Sequence, residues 1–344
     1  MAWDTTLGRV ELSEQLWRSG TQSQRPFSEK TGIKHRGTSR RLQRALTDFG
    51  SDHAFAEARK KVQEHYGVEL PVERIRIVTL HHGQQLAQQT PTPVRTLPPG
   101  GAEYIVAEAD GMMVPIVDTS SAPAGADRRK HRKLHYQEAR LVAAQEHQTV
   151  TTKFSATLND VTETGLRWGQ CALSAGWGTQ TQIHALGDGA VWIAEQARLQ
   201  FGPQGRYTVD LYHVCDYFAA AAPDPANTKP FVATLRDWLR ANDLAAVFAE
   251  LRPRAEPPEV PDEQAPVRAA IRYLTNRTEQ LDYARALALG LPVGSGLIES
   301  GNKHVLQGRL KKAGAWWTEI NAHAMAQLRT LRANLGWDSY WGKN

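Results

Sequence analysis

Residues 102–120 read AEYIVAEADGMMVPIVDTS, two apolar runs separated by Asp110-Gly111. Apolar runs of this length are typical of β-strands, and Asp-Gly between them is the strongest short signal for a hairpin turn. The stretch therefore predicts a strand, a tight turn and a second strand. Residues 134–146, LHYQEARLVAAQE, predict a third antiparallel strand.

The chain after this meander alternates between helical and strand patterns. Three segments continue it: a helix over 160–176, a fourth strand over 181–193 that ends near Asp188, and a fifth strand over 207–218. Strands followed by alternating helices and strands predict an α/β core with a mixed sheet, in two parts over 102–222 and 291–344. Between these parts, residues 223–290 are rich in Ala and Arg and predict a helical insertion.

The chain before the meander is helical in pattern. Residues 37–90 predict a helix, then a second helix with Asp52 as its N-cap and Gly67 as its stop, then a third that opens at Pro71. The last two fit a helix-turn-helix, and they fit an ordinary helical bundle equally well. Residues 91–101, with four prolines and two glycines across 90–101, predict a linker.

Composition limits the classes of protein that fit this sequence. The chain has 344 residues and a net charge of +5, which mildly favours a polyanionic partner. No apolar run approaches the ~20 residues that span a bilayer, and the start lacks a signal-peptide pattern, so we expect a cytoplasmic protein with no membrane partner. Cys171 and Cys215 are not in a CxxC pair, which excludes a disulfide framework and a thiolate zinc site.

Three carboxylates, Asp110, Asp188 and Glu299, each lie next to or near glycine at the end of an apolar segment. Glu299 belongs to residues 290–317, GLPVGSGLIESGNKHVLQGRLKKAGAWW, which match neither the dinucleotide-binding fingerprint nor the phosphate-binding loop. Carboxylates that converge from separate elements would hold a hard cation such as Mg²⁺. Taken singly, each is better explained as a turn residue, since Asp-Gly is the usual turn pair.

Four segments in this order carry a resemblance to a known family: ADGMMVPI, LGDGAVWI, VDLYHVCDYF and residues 290–317. They resemble the bacterial insertion-sequence transposases of the ISKra type, a DDE group with an RNase H-like catalytic core. The resemblance implies that Asp110, Asp188 and Glu299 are catalytic and bind two Mg²⁺ ions, for which Mn²⁺ can substitute. It also implies cleavage and strand transfer of double-stranded DNA, at terminal inverted repeats and a target, by a homodimer or higher oligomer.

Asp210-Leu-Tyr-His213 looks like a motif of the Mutator-like eukaryotic transposases. We expect Asp210 and His213, on the predicted fifth strand, to support the metal site or position the substrate. A buried, hydrogen-bonded pair with a purely structural role explains the same residues.

Cationic and aromatic side chains are candidates for DNA contact. They are Arg40, Arg41, Arg44, Arg74 and Arg76 on the N-terminal helices, Arg128, Arg129, Lys130, Arg132 and Lys133 between strands, and Lys303, Arg309, Lys311, Lys312, Trp316 and Trp317 after Glu299. The run over 128–133 is otherwise a solvated hairpin end, and packing is the commoner fate of tryptophan.

Residues 1–36 depart from the resemblance. Relatives of this type often carry paired cysteines there that look like a zinc knuckle, and this chain has none in that segment. End recognition by the N-terminus is therefore open. Two other functions fit the same residues: a DNA-binding protein that retains the fold without transposing, and a structure-selective nuclease without strand transfer.

Overall fold

The structure, a computed structural model, describes residues 2–32, 37–123 and 125–342, apart from the side chains of Arg128 and Arg129. Helices and strands mix along the chain, as the sequence predicts. The N-terminal elements are β1 (Ala2–Thr5), β2 (Gly8–Glu11), β3 (Trp17–Ser19), β4 (Gln22–Gln24), α1 (Pro26–Thr31), β5 (Gly37–Thr38), α2 (Arg40–Asp52), α3 (Phe55–Tyr66) and α4 (Val72–Ala87).

The middle of the chain carries the main sheet and the helices between its strands. These elements are β6 (Tyr104–Asp118), β7 (Lys133–Glu146), β8 (Thr152–Thr157), α5 (Val161–Ser174), β9 (Gln182–Gly187), α6 (Val191–Phe201), β10 (Gly205–Val209) and α7 (Leu211–Ala220).

The rest of the chain is helical. It contains α8 (Thr228–Arg240), α9 (Leu244–Leu251), α10 (Pro266–Thr275), α11 (Tyr283–Ala288), α12 (Gly296–Gly301), a π-helical turn (Asn302–Gln307), α13 (Gly308–Leu310), α14 (Glu319–Ala333) and α15 (Trp337–Trp341). The described ranges contain no helix that is both long and apolar enough to cross a bilayer.

The chain divides into two compact units. The first comprises Met1–Thr90, Val114–Gln137 and His304–Asn344, and the second comprises Pro91–Met113 and Glu138–Lys303. The boundary after Thr90 agrees with the start of the predicted linker, whose residues lie outside helices and strands. The predicted closing segment, 291–344, is divided between the two units after Lys303.

The first unit is built around α4. Its buried residues and those of α2 and α3 share one core, which contains Leu42, Leu46, Val62 and Ile75. Helix α4 also packs against α14, where a Cβ on Gly83 would come within 2.5 Å of the Ala324 carbonyl oxygen. Only glycine allows so close an approach of two helices, so α4 is the centre of a helical bundle that includes a C-terminal helix.

The ends of these helices agree with the sequence prediction in two places and differ in one. Helix α3 ends at Gly67, which is left-handed at φ 64°, and α4 begins directly after Pro71. The prediction that Asp52 caps the N-terminus of α3 is wrong. Asp52 is the last residue of α2, and Ala54 is the residue before α3. Its carboxylate instead accepts hydrogen bonds and ion pairs from Arg329 and Arg332 of α14.

Residues 1–36, for which no secondary structure is predicted from the sequence, contain short strands. Strand β1 pairs antiparallel with β2 and parallel with β5, and β3 pairs antiparallel with β4. Residues 33–36 and Met1 lie outside the described ranges.

The main sheet has the strand order β10-β9-β6-β7-β8. Strands β6, β9 and β10 are parallel neighbours, whereas β7 and β8 are antiparallel. The predicted hairpin at Asp110-Gly111 is wrong, because β6 passes straight through both residues. Gly111 serves close packing instead: a Cβ there would lie 2.1 Å from Oε1 of Glu138, on β7.

Other strand predictions are partly right. Residues 134–146 form β7, the second strand of the sheet rather than a third, and β8 was missed. The predicted fourth strand stops at Gly187, and Val191 already belongs to α6. The predicted fifth strand stops at Val209, and α7 follows at once because Asp210 caps its N-terminus.

Each face of the sheet in the second unit is covered by different helices. Ile105, Ala107 and Ala109 of β6 pack with residues of α5 and α6, such as Trp168 and Ile193. Alternate residues of β6 face the other way, as the twofold period of a strand requires. Val106 there packs with Ala286 of α11, and Glu108 and Asp110 reach toward α12 and the residue after it.

The predicted helical insertion is present as α8 to α11. These helices share a buried core with α7, to which Phe218, Leu239, Leu251, Leu274 and Tyr283 contribute. The insertion therefore packs on α7, the helix that follows β10, and through Ala286 of α11 on β6.

Candidate active site

The register of the parallel strands aligns three aspartates. Glu108 pairs with Leu186 across β6 and β9, and Gly187 pairs with Val209 across β9 and β10. Counted two residues on from the Glu108–Leu186 pair, Asp110 corresponds to Asp188. Counted one residue on from the Gly187–Val209 pair, Asp188 corresponds to Asp210. Asp110 is still within β6, whereas Asp188 and Asp210 are the first residues after β9 and β10, so the three follow from the register counted on past the last strand pairs.

Asp110 lies within β6, half-buried, and both of its carboxylate oxygens accept hydrogen bonds. Oδ1 accepts from the Gly111 N–H at 2.7 Å, and Oδ2 accepts from the Asn302 side-chain amide at 2.6 Å. Burial raises the pKa of Asp110, and the negative charges of Asp188 and Glu299 raise it further, against the opposing effect of the two hydrogen bonds. The charges of the other two predicted metal ligands, Asp188 and Glu299, therefore both act on the Asp110 carboxylate.

Asp188 lies in the turn that joins β9 to α6, and side chains from two other elements hold that turn. Its Oδ1 accepts the N–H of Ala190 at 2.8 Å, and its carbonyl oxygen accepts the hydroxyl of Tyr273 at 2.7 Å. The next residue, Gly189, has φ 88°, and its carbonyl accepts from the guanidinium of Arg277 at 2.6 Å. Because Tyr273 lies on α10 and Arg277 just after it, the insertion fixes the backbone that carries Asp188.

Glu299 lies on α12 with its side chain exposed. The first turn of α12 is fixed from the sheet, since the Ile298 N–H donates to Oε2 of Glu108 at 2.7 Å. Glu108 is 1% exposed, and burial raises its pKa to about 8, with the charges of Asp210 and Glu299 adding to the effect. A buried carboxyl group two residues before Asp110 thus sets the position of the helix that presents Glu299.

Asp210 and His213 lie at the start of α7, not on a strand as predicted. Asp210 is 2% exposed, and its Oδ1 accepts the backbone N–H groups of Tyr212 and His213. Its Oδ2 accepts both the N–H and the hydroxyl of Ser295, at 2.8 and 2.5 Å. Asp210 therefore ties the start of α12 to the start of α7, which is a positioning role for Glu299.

The His213 ring is placed differently from the Asp210 carboxylate. It lies beside the rings of Tyr217 and Tyr273, with centroids 5.7 and 6.0 Å away. The contact between the two residues is the hydrogen bond from the His213 backbone N–H to the Asp210 carboxylate. The motif therefore corresponds to a helix N-cap and not to a pair of interacting side chains.

The donor atoms at this site fit a hard divalent cation. Asp110, Asp188 and Glu299 offer carboxylate oxygens, the ligands that Mg²⁺ and Mn²⁺ prefer. Asn302 adds a buried side-chain oxygen, Oδ1, that has no hydrogen-bond partner in the described part of the chain. Among the described residues, no three His, Cys, Asp or Glu side chains are already gathered as a metal cage. Three carboxylates repel one another without a cation between them.

Of the arginines on the N-terminal helices that are predicted to bind DNA, Arg40, Arg44 and Arg76 contact other residues of the protein. Arg40 donates to the carbonyl oxygens of Tyr340 and Trp341, at 3.3 Å, and Arg44 pairs with Asp338. Arg76 pairs with Glu73 at 2.5 Å, which raises the pKa of Arg76. Arg41 is exposed, and Arg74 lies at a pocket with Asp4 and Arg9.

Two of the predicted DNA contacts after Glu299 are wrong, because Arg309 and Trp317 are buried. Arg309 is 2% exposed, donates from Nε to the Gly50 carbonyl at 3.1 Å, and lies over the rings of Phe55 and Trp317. Burial lowers the pKa of Arg309 to about 10, and the charge of Arg329 adds to this. Both side chains belong to the core of the first unit.

The other predicted contacts have accessible side chains. The Arg132 guanidinium covers the ring of Trp316, which is 45% exposed, at 4.0 Å from its centroid. Lys312 is 3.9 Å from Glu57. Lys130, Lys133, Lys303 and Lys311 are exposed. Arg128 and Arg129 form a 3₁₀ turn with Lys130 and His131, and their side chains lie outside the description.

Sequence reasoning missed several residues at this site. The apolar pattern around Glu108 predicts only a strand. An acidic residue within the run VAEAD could have indicated a buried carboxyl group near Asp110. Tyr273 and Arg277 carried no local signal, because their contact with the Asp188 turn depends on tertiary packing. Arg277 and Arg198 also line a pocket of about 380 Å³ beside Gly189.

Comparison with protein-family models gave no match, and comparison with curated proteins gave none. The residues and their geometry are therefore the basis for a functional assignment.

Glu108→Gln should change how stability depends on pH. The pKa of Glu108 is about 8 in the folded chain and near 4.5 in the unfolded chain, so its contribution to stability is complete below pH 4.5 and is lost as pH rises toward 8. The neutral amide keeps an oxygen for Ile298 and removes this loss. In metal-free urea unfolding, the variant should match wild type near pH 4.5 and exceed it by on the order of a few kcal/mol at pH 8.

Glu279→Gln, at an exposed glutamate, is the matched control and should follow wild type across the range. Parallel curves for wild type and Glu108→Gln would show that Glu108 is ionised in the folded chain and would overturn this description.

Arg309→Ala should destabilise the first unit, because it empties a large buried site between two aromatic rings. We expect a loss of roughly 2–5 kcal/mol in the free energy of unfolding, as for other large core residues. Lys311→Ala, on an exposed neighbour, should stay within about 0.5 kcal/mol of wild type. Equal stabilities together with weaker DNA binding by Arg309→Ala would restore the prediction made from sequence.

Proposed function

We propose that this protein is a DNA transposase with an RNase H-like core, which cleaves DNA strands and joins them to a target with Mg²⁺. Asp110, Asp188 and Glu299 would hold the cations, and Mn²⁺ would substitute. The observation that carries the proposal is the parallel register of β6 and β9, which brings Asp110 of β6 to the level of Asp188 just after β9, together with the electrostatic influence of Asp188 and Glu299 on Asp110.

The layout of the second unit supports the assignment. The resemblance implies a sheet that opens with three antiparallel strands; here β6, β7 and β8 are consecutive neighbours, and β7 and β8 are antiparallel. The second aspartate follows the fourth strand of that sheet, and the glutamate lies on a helix after a helical insertion. The first aspartate differs in one respect, since it lies inside β6 rather than at its end.

The chain's own side chains would set the geometry of the reaction. When bound, the cations would polarise the scissile phosphate and lower the pKa of the attacking water or 3′-hydroxyl. Gly111 and Asn302 hold the Asp110 carboxylate in one orientation, and Tyr273 and Arg277 hold the Asp188 turn. Glu108 and Asp210 fix the start of α12 and so aim Glu299. Such fixed placement is how proteins contribute to phosphoryl transfer.

The distribution of cations supports a polyanionic substrate such as double-stranded DNA. The second unit has Arg198 and Arg277 at the pocket beside Gly189, near the turn that carries Asp188. The first unit has the exposed cations Arg41, Lys130, Lys133 and Lys311, and a Trp316 ring covered by Arg132. The two arginines at the pocket beside Gly189 would offset the repulsion of phosphate by the carboxylates, and affinity for DNA should fall steeply with added salt.

Asp188→Asn tests the proposal with little change of shape. The substrate is a labelled duplex carrying the inverted repeats that flank the coding sequence, with a supercoiled plasmid as target. Wild type with Mg²⁺ or Mn²⁺ should give strand breaks with 3′-hydroxyl ends and joined products. Asp188→Asn should lose at least about 100-fold in rate, since metal ligands act in the transition state, while its affinity for the duplex stays near that of wild type.

Asp216→Asn, at an exposed aspartate on α7, is the matched control and should cleave like wild type. Tight binding without cleavage by wild type would favour a DNA-binding protein, and cleavage without joining would favour a nuclease. Undiminished cleavage by Asp188→Asn would contradict the assignment of the site.

A further inference from the structure

Asn302 is buried at the acidic site and is only half satisfied. It is 3% exposed, and its Nδ2 donates to Oδ2 of Asp110 at 2.6 Å. A carboxylate can only accept here, so the amide nitrogen must face Asp110 and Oδ1 must be the free end. That oxygen is buried and has no hydrogen-bond partner among the described residues. Buried carbonyl oxygens are rarely left without a donor or a cation.

The backbone around Asn302 is built to hold it against the sheet. Gly301 is buried, and a Cβ there would lie 2.7 Å from the Phe154 ring and 3.1 Å from Leu141. Glycine therefore lets the end of α12 approach β7 and β8 closely. Asn302 then starts a π-helical turn, a rare conformation that is often found at functional sites.

Glu299 on α12 and Asn302 at the start of the π-helical turn are three residues apart, which is close to one turn of a helix. Asn302 contacts Asp110 directly, and the charges of Glu299 and Asp188 both act on Asp110. Asn302 therefore contacts the carboxylate on which the charges of the other two act, and an amide oxygen is a donor that Mg²⁺ and Mn²⁺ both accept.

We propose that Asn302 is a fourth ligand of the divalent cation, with Oδ1 bound to the ion while Nδ2 holds Asp110 in its ligating orientation. This inference rests on the proposed function, since it assigns a further residue to the same site. A neutral fourth ligand completes the coordination without adding to the repulsion among the three carboxylates.

Asn302→Leu separates this role from a structural one. Leucine has a similar volume and removes the unsatisfied oxygen, but it also leaves Oδ2 of Asp110 without its donor, so the metal-free chain should unfold at a somewhat lower temperature than wild type. Its affinity for Mn²⁺ should fall about 10- to 100-fold, the usual loss when a group that supports a metal site is removed. Mn²⁺ binding is measured on the full chain without DNA, from the signal of the free ion in electron paramagnetic resonance.

Asn302→Asp gives a second, opposite signature. It keeps an oxygen but places a negative charge against Asp110, so the melting temperature in EDTA should fall below that of wild type. Mn²⁺ should then raise it by more than it raises that of wild type, since a cation offsets the added repulsion. Ser300→Ala, on the exposed neighbour of Glu299, is the control and should match wild type in both measurements.

The outcomes distinguish the two proposals. Wild type that binds no Mn²⁺ would contradict the proposed function itself. If Glu299→Gln weakens Mn²⁺ binding and Asn302→Leu does not, the site stands and the role of Asn302 is overturned. A lower melting temperature of Asn302→Leu in EDTA, with wild-type Mn²⁺ affinity, would make Asn302 a structural residue only.

Discussion

The parallel register of β6 and β9 is the constraint on which the candidate site depends. It brings Asp110 opposite Asp188, and the next pair of strands brings Asp210 into the same row. A shift of one residue would turn each side chain to the opposite face of the sheet. Close packing fixes this register at Gly187, where a Cβ would lie 2.9 Å from Ile193 and 3.2 Å from the Ala109 carbonyl oxygen.

Hydrogen bonds from buried polar groups then fix the position of α12 relative to the sheet. Glu108 binds the Ile298 N–H, Asp210 binds Ser295, and Asn302 binds Asp110, so the helix that carries Glu299 is held at both of its ends. Groups buried in this way are costly when left unpaired, which makes one arrangement strongly preferred. The insertion contributes through Tyr273 and Arg277, which hold the Asp188 turn. Its position between β10 and α12 therefore serves the site directly.

The sequence was informative about the elements and about residues with a local signature. Hydrophobic patterns predicted α5, the helical insertion and the strand content of the core, and glycine neighbours drew attention to Asp110 and Asp188. The errors share a physical cause, because close packing and capping are tertiary effects. Gly111 looked like a turn residue but makes room for Glu138, and Asp210 looked like a strand residue but caps α7. Arg309 looked like a surface cation, yet two aromatic rings enclose it.

A crystal of the full chain soaked in Mn²⁺ and measured at the manganese absorption edge tests the central claim most directly. We expect anomalous density between Asp110 and Asp188, with carboxylate oxygens of both at roughly 2 Å from the ion, as for a hard octahedral cation. Glu299 should turn toward the same density. Manganese bound elsewhere, or no anomalous density near these aspartates in a crystal whose sheet keeps this register, would contradict it.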